Sequence, residues 1–201
     1  MISIDTISSA PQHSAAALRG EAAHVESVRR LHVGGKVRNE RWEVFNALPG
    51  PDVDHLGNAN DLSRFTEDSF DCVYASHVVE HFDYKDELQR TLSEWRRVLK
   101  PGGLLQVSVP DLDVLAVLML DRQLTMVDHF MVMRMIFGGH TDAYDYHQVG
   151  LTHEILGSFL LSTGFIDVQR VAGFGHFKDT SDMRFAGVAI SLNLQARKPA
   201  P

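Results

Sequence analysis

Apolar and polar positions along this chain fall into short blocks, and the blocks are clearest between Phe70 and Asp111. Asp71-Cys72-Val73-Tyr74-Ala75 is a β-prone run flanked by polar residues, which predicts a buried strand. Leu88, Leu92, Trp95, Val98 and Leu99 then recur at three- and four-residue steps and form one apolar face of a helix. Asp86 reads as its N-cap, with Gln89 at the capping-box spacing. Lys100 suits the negative end of the helix dipole, and Pro101-Gly102-Gly103 stops the helix and turns the chain. Leu104 to Val109 is a second apolar run, closed by Pro110-Asp111. Strand, helix, strand in this order is a parallel βαβ unit, so the fold class is α/β.

The remaining blocks extend that unit on both sides. Residues 1–24 are read as a mobile leader and 25–201 as one domain, with a short helix over Glu21–Arg30. Arg30 to Gly35 predicts a first strand breaking into a glycine turn, Arg41 to Asn46 a second, and Asp52 to Leu56 a weak third. Helices are predicted over Leu112–Leu120 and Met126–Phe137, and a third runs from a Thr152 cap to Leu161. Phe165–Val171 and Val188–Ala196 are the last strands, separated by a loop from Gly173 to Ala186. The early strands have short connections, so the crossovers of the first half are trimmed.

Composition narrows the partners. A formal charge of −7 argues against a nucleic-acid partner held by phosphate neutralisation. No apolar run is long enough to span a bilayer, and no basic amphipathic helix points to a membrane surface. The single cysteine, Cys72, excludes an intrachain disulfide and a cysteine-based zinc cage; a reducing cytoplasm fits. The methionines of 126–135 read as core or as a homodimer face.

Two stretches, SFDCVYASHVVEHF and EWRRVLKPGGLLQVSVPD, resemble the class I S-adenosylmethionine-dependent methyltransferases, in particular their type 11-like group. GFIDVQRV and ISLNLQARKP resemble the closing strands of the same fold. The resemblance implies a Rossmann-like sheet, mostly parallel with an antiparallel closing strand and helices on both faces. It implies S-adenosyl-L-methionine as cofactor and a small-molecule acceptor, with segments 112–150 and 173–187 as acceptor-side insertions. Cofactor contacts are then expected at Gly34, Gly35, Asn46, Asn58, Ala59, Ser76 and His77, all at the carboxyl ends of strands. The chain departs from the family at three of these points. The glycine-rich loop is reduced to Gly34-Gly35-Lys36, and asparagines, Asn46 and Asn58, stand where the ribose- and adenine-facing acids usually do. Replacing charge-assisted by neutral bonds at both weakens cofactor affinity by on the order of 1–3 kcal/mol.

His77, Asp111, His140, Tyr144 and His147 are the candidate catalytic groups. His140, Tyr144, Asp145, Tyr146 and His147 form either an acceptor-side cluster or a solvated loop; Asp111 is either a base or the cap of the next helix. Segments 174–177 and 179–181 form either a lid or a surface hairpin. His77-Val78-Val79-Glu80-His81 also spells the inverted zinc-peptidase pattern H-x-x-E-H, which needs a helix and a downstream acidic ligand. Following a buried strand, Glu80 and His81 read instead as a hydrogen-bonded pair, and no metal is expected. Two further readings stay open: a catalytically silent binding or dimerisation module, favoured by the degenerate cofactor motifs, and a metal-dependent hydrolase.

Overall fold

The computed structural model describes residues 27–201. The leader and most of the helix read over Glu21–Arg30 lie outside the described residues; 27–29 have no regular structure. In chain order the strands are β1 (Arg30–Val33), β2 (Glu43–Asn46), β3 (His55–Leu56), β4 (Phe70–Ser76), β5 (Leu99–Pro110), β6 (Ile166–Arg170), β7 (Arg184–Phe185), β8 (Val188–Ala189) and β9 (Ser191–Arg197). The helices are α1 (Glu87–Val98), α2 (Leu112–Leu120), α3 (Met126–Phe137) and α4 (His153–Ser162). Seven strands form one sheet in the order β3-β2-β1-β4-β5-β9-β6. β1 to β5 are parallel, and β9 runs antiparallel between β5 and β6. The strand order reverses between β1 and β4, which opens a crevice beyond their carboxyl ends.

Alternation along the strands sends two sets of side chains to opposite faces. Leu31, Val33, Val73, Ala75, Leu105, Val107, Leu192 and Leu194 join Leu88, Leu92 and Trp95 of α1 and Leu156 and Leu160 of α4 in one core. Burying each large apolar side chain there contributes roughly 1.5–3 kcal/mol. The other face, also expected to be helical, carries an aromatic cluster among the described residues. Trp42, Cys72 and Tyr74 pack there with Leu104, Phe174 and Phe177, none of them helical. Phe177 stacks on Tyr74 with ring centroids 5.6 Å apart and the planes 10° from parallel. No helix links β1 to β2 or β2 to β3, in keeping with the trimmed first half. α2 and α3 pack on each other and on Phe185 and Ile190, beyond the carboxyl end of β5.

Local details differ from the sequence reading in three places. Asp86 caps no backbone N–H of α1; its carboxylate pairs with exposed Arg90 (3.1 Å). Glu87 instead reaches back to accept from the Asp83 N–H (3.2 Å) and from the Asn60 side chain (2.8 Å). Lys100 pairs with Asp71 (3.2 Å), and Lys198 serves the end of α1, its ammonium donating to the carbonyls of Arg97 (3.3 Å) and Leu99 (2.8 Å). The predicted strand Val188–Ala196 is divided: β8 folds back on β7 through Ala186 and Gly187, both at positive φ, and β9 starts at Ser191. At the sheet edge, β6 is bulged between Ile166 and Gln169, with Asp167 at φ 54°.

Trp95 is fully buried, and its indole N–H donates to the Ala59 carbonyl (2.7 Å), tying α1 to the loop after β3. Trp95→Phe keeps most of the apolar contact and strands that carbonyl, so stability measured by urea denaturation should fall by about 1–3 kcal/mol. A loss near zero would mean that the bond adds nothing to the packing.

Candidate functional site

A cleft of about 570 Å³ lies beyond the carboxyl ends of β1, β2 and β4. Gly34, Asn46, Asn58, Ala59, Ser76, His77, Tyr144 and His147 line it, as do Lys36, Leu48, Phe82, Thr141, Asp142, Asp179 and Thr180. Eight of the expected site residues therefore meet around one space.

The turn after β1 sets its floor. Gly34 has φ 78° and donates to the Phe45 carbonyl (2.8 Å), and a Cβ on it would stand 2.5 Å from Val78 Cγ2. A side chain here would be strained and would push apart the ends of β1 and β4. Gly35 does not line the cleft; a Cβ on it would meet the His32 ring at 2.6 Å. Asn46 locks this turn from β2. Its amide donates to the carbonyls of Gly34 (3.1 Å) and Gly35 (2.7 Å), and its oxygen accepts from the Leu48 N–H (2.8 Å). Carboxylate could not donate to those carbonyls, which explains an amide at this position. Asn58 is different: it is exposed at the cleft, and its side-chain amide has no protein partner among the described residues.

The second wall is built by the segment after β6. Asp179 accepts from the Tyr74 hydroxyl (2.7 Å) and the Ser181 N–H (2.9 Å), and Thr180 meets Ser76 (3.1 Å). Burial, the largest influence, pushes the Asp179 carboxyl up, but the hydrogen bonds from Tyr74 and Ser181 outweigh it and hold it below its ordinary range. His32 lines the cleft beside this wall, its ring centroid 4.0 Å from that of Phe177 and its Nδ1 buried without a hydrogen-bond partner among the described residues. Burial pulls its pKa down to about 4, so the ring is neutral.

The third wall joins the end of β4 to the loop after α3. His77 turns the chain at φ 54°, and a 3-10 turn over Val79–His81 drives Glu80 inward until it is 1% exposed. This single turn is not the α-helix that H-x-x-E-H requires. Glu80 and His81 form no hydrogen bond with each other; His81 Nδ1 meets the Tyr146 carbonyl (3.0 Å), and neither oxygen of Glu80 has a hydrogen-bond partner among the described residues. Desolvation pushes the Glu80 carboxyl up to about 8. The Glu80 carbonyl accepts from Gln148 (2.8 Å) and Val149 (3.3 Å), which brings His147 against the carboxyl group. Burial, then the neighbouring His81, takes His147 down to about 4; burial, then His147, takes His77 down to about 3.

Two candidate catalytic groups stand apart from the cleft. Asp111 is buried, accepts from the N–H groups of Asp113 (3.2 Å) and Val114 (3.5 Å), and pairs with Arg170 (2.7 Å). It is the cap of α2, the other reading of this residue. His140 stacks on Tyr146 (centroids 4.1 Å apart), and its Nε2 meets the Phe137 carbonyl (3.0 Å) at the end of α3. Lys36 and Asp142, which sequence reasoning passed over, were signalled only by adjacency to Gly35 and to the polar 140–147 loop.

A family model described as "Methyltransferase domain" matches residues 21–107. The ubiquinone/menaquinone biosynthesis C-methyltransferase of Blochmanniella floridana is 32% identical over 123 residues, covering 57% of this chain and 46% of its own length. The chain thus spans about half the length of the curated relative it matches. An S-adenosylmethionine-dependent methyltransferase from Archaeoglobus fulgidus superposes with a TM-score of 0.54 at 15% identity, over 85% of this chain and 86% of that one. The Burkholderia thailandensis 1,6-didemethyltoxoflavin N1-methyltransferase, solved with 1,6-didemethyltoxoflavin and S-adenosylhomocysteine bound, gives 0.52 at 17% identity, over 85% and 71%. At these identities the structural likeness speaks for the fold.

Two outcomes follow for the cleft. Asn46→Asp sets a carboxylate against two carbonyl oxygens and should lower stability in urea by about 1–3 kcal/mol; unchanged stability would mean that the amide does not pin the turn. Below pH 6.5 the unfolded chain takes up a proton that folded His32 refuses down to about pH 4. Stability therefore falls with pH across that window by up to about 3 kcal/mol from this ring and is fully present above it. His32→Phe, with the ring contacts kept, should lose less stability than the parent between pH 7 and pH 4.5; equal losses would assign the slope to other groups.

Proposed function

We propose that the chain is a class I S-adenosylmethionine-dependent methyltransferase, as its similarity to a methyltransferase-domain model and to a C-methyltransferase supports, and that it transfers a methyl group from S-adenosylmethionine to a small-molecule acceptor. The observation that carries this reading is the convergence of the β1, β2 and β4 ends on one cleft at the reversal of strand order.

The residues present fit the cofactor. The volume is within the range of small-molecule sites. Gly34 leaves backbone open, the Asn58 amide has no protein partner among the described residues, and Lys36 brings a cation that suits a ligand carboxylate. Asp142, Asp145 and Asp179 bring negative charge to the same walls, which suits a ligand bearing a positive sulfur. When bound, S-adenosylmethionine supplies an electrophilic methyl group on a good leaving group, so the protein's share of the chemistry is alignment and exclusion of water. Phe45, Ala59, Leu48 and Phe82 give the apolar surface for that. Tyr144, whose hydroxyl has no protein partner among the described residues, lines the cleft from the 140–147 loop and is the group we assign to the acceptor side. Side chains from 141–147 and 179–180 wall the cleft, and its volume suits a small acceptor. Met126, Val127, Phe130 and Phe137 of α3 are exposed and offer a face to a second copy.

One observation favours the silent-module reading. Asn46, at the position the family uses for the ribose, spends its amide on the protein's own backbone. Isothermal titration with S-adenosylmethionine and S-adenosylhomocysteine separates the two. We expect binding tighter than about 0.1 mM, roughly −5.5 kcal/mol, for both, and at least about tenfold weaker binding in Gly34→Ala. No binding up to millimolar ligand would overturn the proposal, and binding without turnover on any acceptor would favour the silent module.

A further inference from the structure

We propose that Glu80, His81 and His147 hold one divalent first-row transition-metal cation in the wall of the cleft. Each offers one ligand atom, and those atoms lie within 4.8 Å of one another. This departs from the sequence-based expectation of no metal, and it does not depend on the methyl-transfer reading.

The arrangement is fixed by backbone. The 3-10 turn buries Glu80, and the paired bonds from Gln148 and Val149 to the Glu80 carbonyl hold the 146–149 segment against it. Both histidines are then set by their other nitrogen. His81 Nδ1–H donates to the Tyr146 carbonyl (3.0 Å), and His147 Nδ1–H donates to the Ile136 carbonyl (3.2 Å). Each ring is left with Nε2 as a lone pair, and His147 Nε2 stands 4.0 Å from Glu80 Oε1. An imidazole anchored to a carbonyl through one nitrogen and left with the other for a cation is the outer-shell pattern of metal-binding histidines.

Glu80 is the second, independent observation. It is 1% exposed, and neither oxygen has a hydrogen-bond partner among the described residues. A bare carboxylate at such a place is strongly disfavoured. A proton on it finds only His77 Nδ1, at 3.5 Å, beyond a good hydrogen bond. His77 is itself oriented elsewhere, its Nε2–H donating to Ser191 Oγ (3.0 Å), whose own proton goes to the Thr180 carbonyl (2.8 Å). A cation satisfies the carboxylate and both imidazoles at once. Two ligands each about 2.0–2.2 Å from one cation stand at most about 4.4 Å apart, which is the scale of the Glu80–His147 gap. Two imidazoles and one carboxylate select a borderline ion such as zinc, cobalt or manganese over magnesium or calcium, which prefer all-oxygen sets. His77, His81 and His147 all line the cleft, so the remaining coordination positions face it and take water or an oxygen or nitrogen of a bound molecule.

The test uses the full chain, stripped with a chelator and titrated calorimetrically with zinc, cobalt, manganese and magnesium chlorides in turn. One equivalent of zinc or cobalt should bind and should not be displaced by excess magnesium, and the cobalt protein should show visible ligand-field absorption. His81→Gln, at a half-buried side chain, should weaken binding at least tenfold while leaving the melting temperature of the stripped protein unchanged. Glu80→Gln, a neutral isostere, should abolish the metal-induced rise in melting temperature. Uptake of much less than one equivalent by the parent, or equal binding by parent and His81→Gln, would overturn the proposal; because His81→Gln decides alone, a Glu80→Gln chain that fails to fold does not rescue it.

Discussion

The site rests on a contact made possible by a missing atom. Gly34 and Val78 touch where β1 and β4, neighbours in the sheet, send their following segments in opposite directions. Any β-carbon at Gly34 would occupy the space of the Val78 methyl. With that contact made, β1 can turn at φ 78° and β4 can turn at His77, so the two loops leave a crevice between them. Asn46 holds the first loop and the 3-10 turn at Val79–His81 holds the second. The floor and the histidine wall of the cleft are thus consequences of one close approach.

The opposite face of the sheet solves a different problem. With no helix between β1 and β2 or between β2 and β3, the described chain covers His32, Cys72 and Tyr74 with side chains drawn from far along the sequence. Phe174, His176 and Phe177 close over Trp42 and Tyr74, and the Tyr74–Asp179 bond anchors the strap. The same strap carries Thr180 into the cleft. Packing of one face and closure of the site are therefore coupled through a single segment.

How much of this was legible depended on range. The strand–helix–strand order of the βαβ unit and the Thr152 cap of α4 are local patterns that the sequence carries, whereas at Asp111 it leaves a helix cap and a base both open. The Asp86 cap was misread because Glu87, one residue on, competes through Asp83 and Asn60, and Asn60 comes near only in the folded chain. The convergence of Gly34, Asn46, Asn58 and His77 was readable because strand ends in this architecture share one side. What Asn46 does there was not: its amide faces two carbonyls of another strand's turn, a fact of adjacency rather than of residue type. Glu80 is the largest gap. Beside His81 it reads as half of a hydrogen-bonded pair, and only the inward 3-10 turn reveals a buried carboxyl with no hydrogen-bond partner among the described residues.

The bulge in β6 has a consequence beyond the fold. β6 is an outer rim of the sheet, and a regular rim offers unpaired amides in register to any passing strand. Here the left-handed Asp167 interrupts that row, and exposed Gln169 and Arg170 end the strand with polar and charged side chains. The opposite rim, β3, is two residues long and too short to template a partner. An irregularity that costs a ladder bond thus guards the molecule against self-propagating strand addition in a crowded solution.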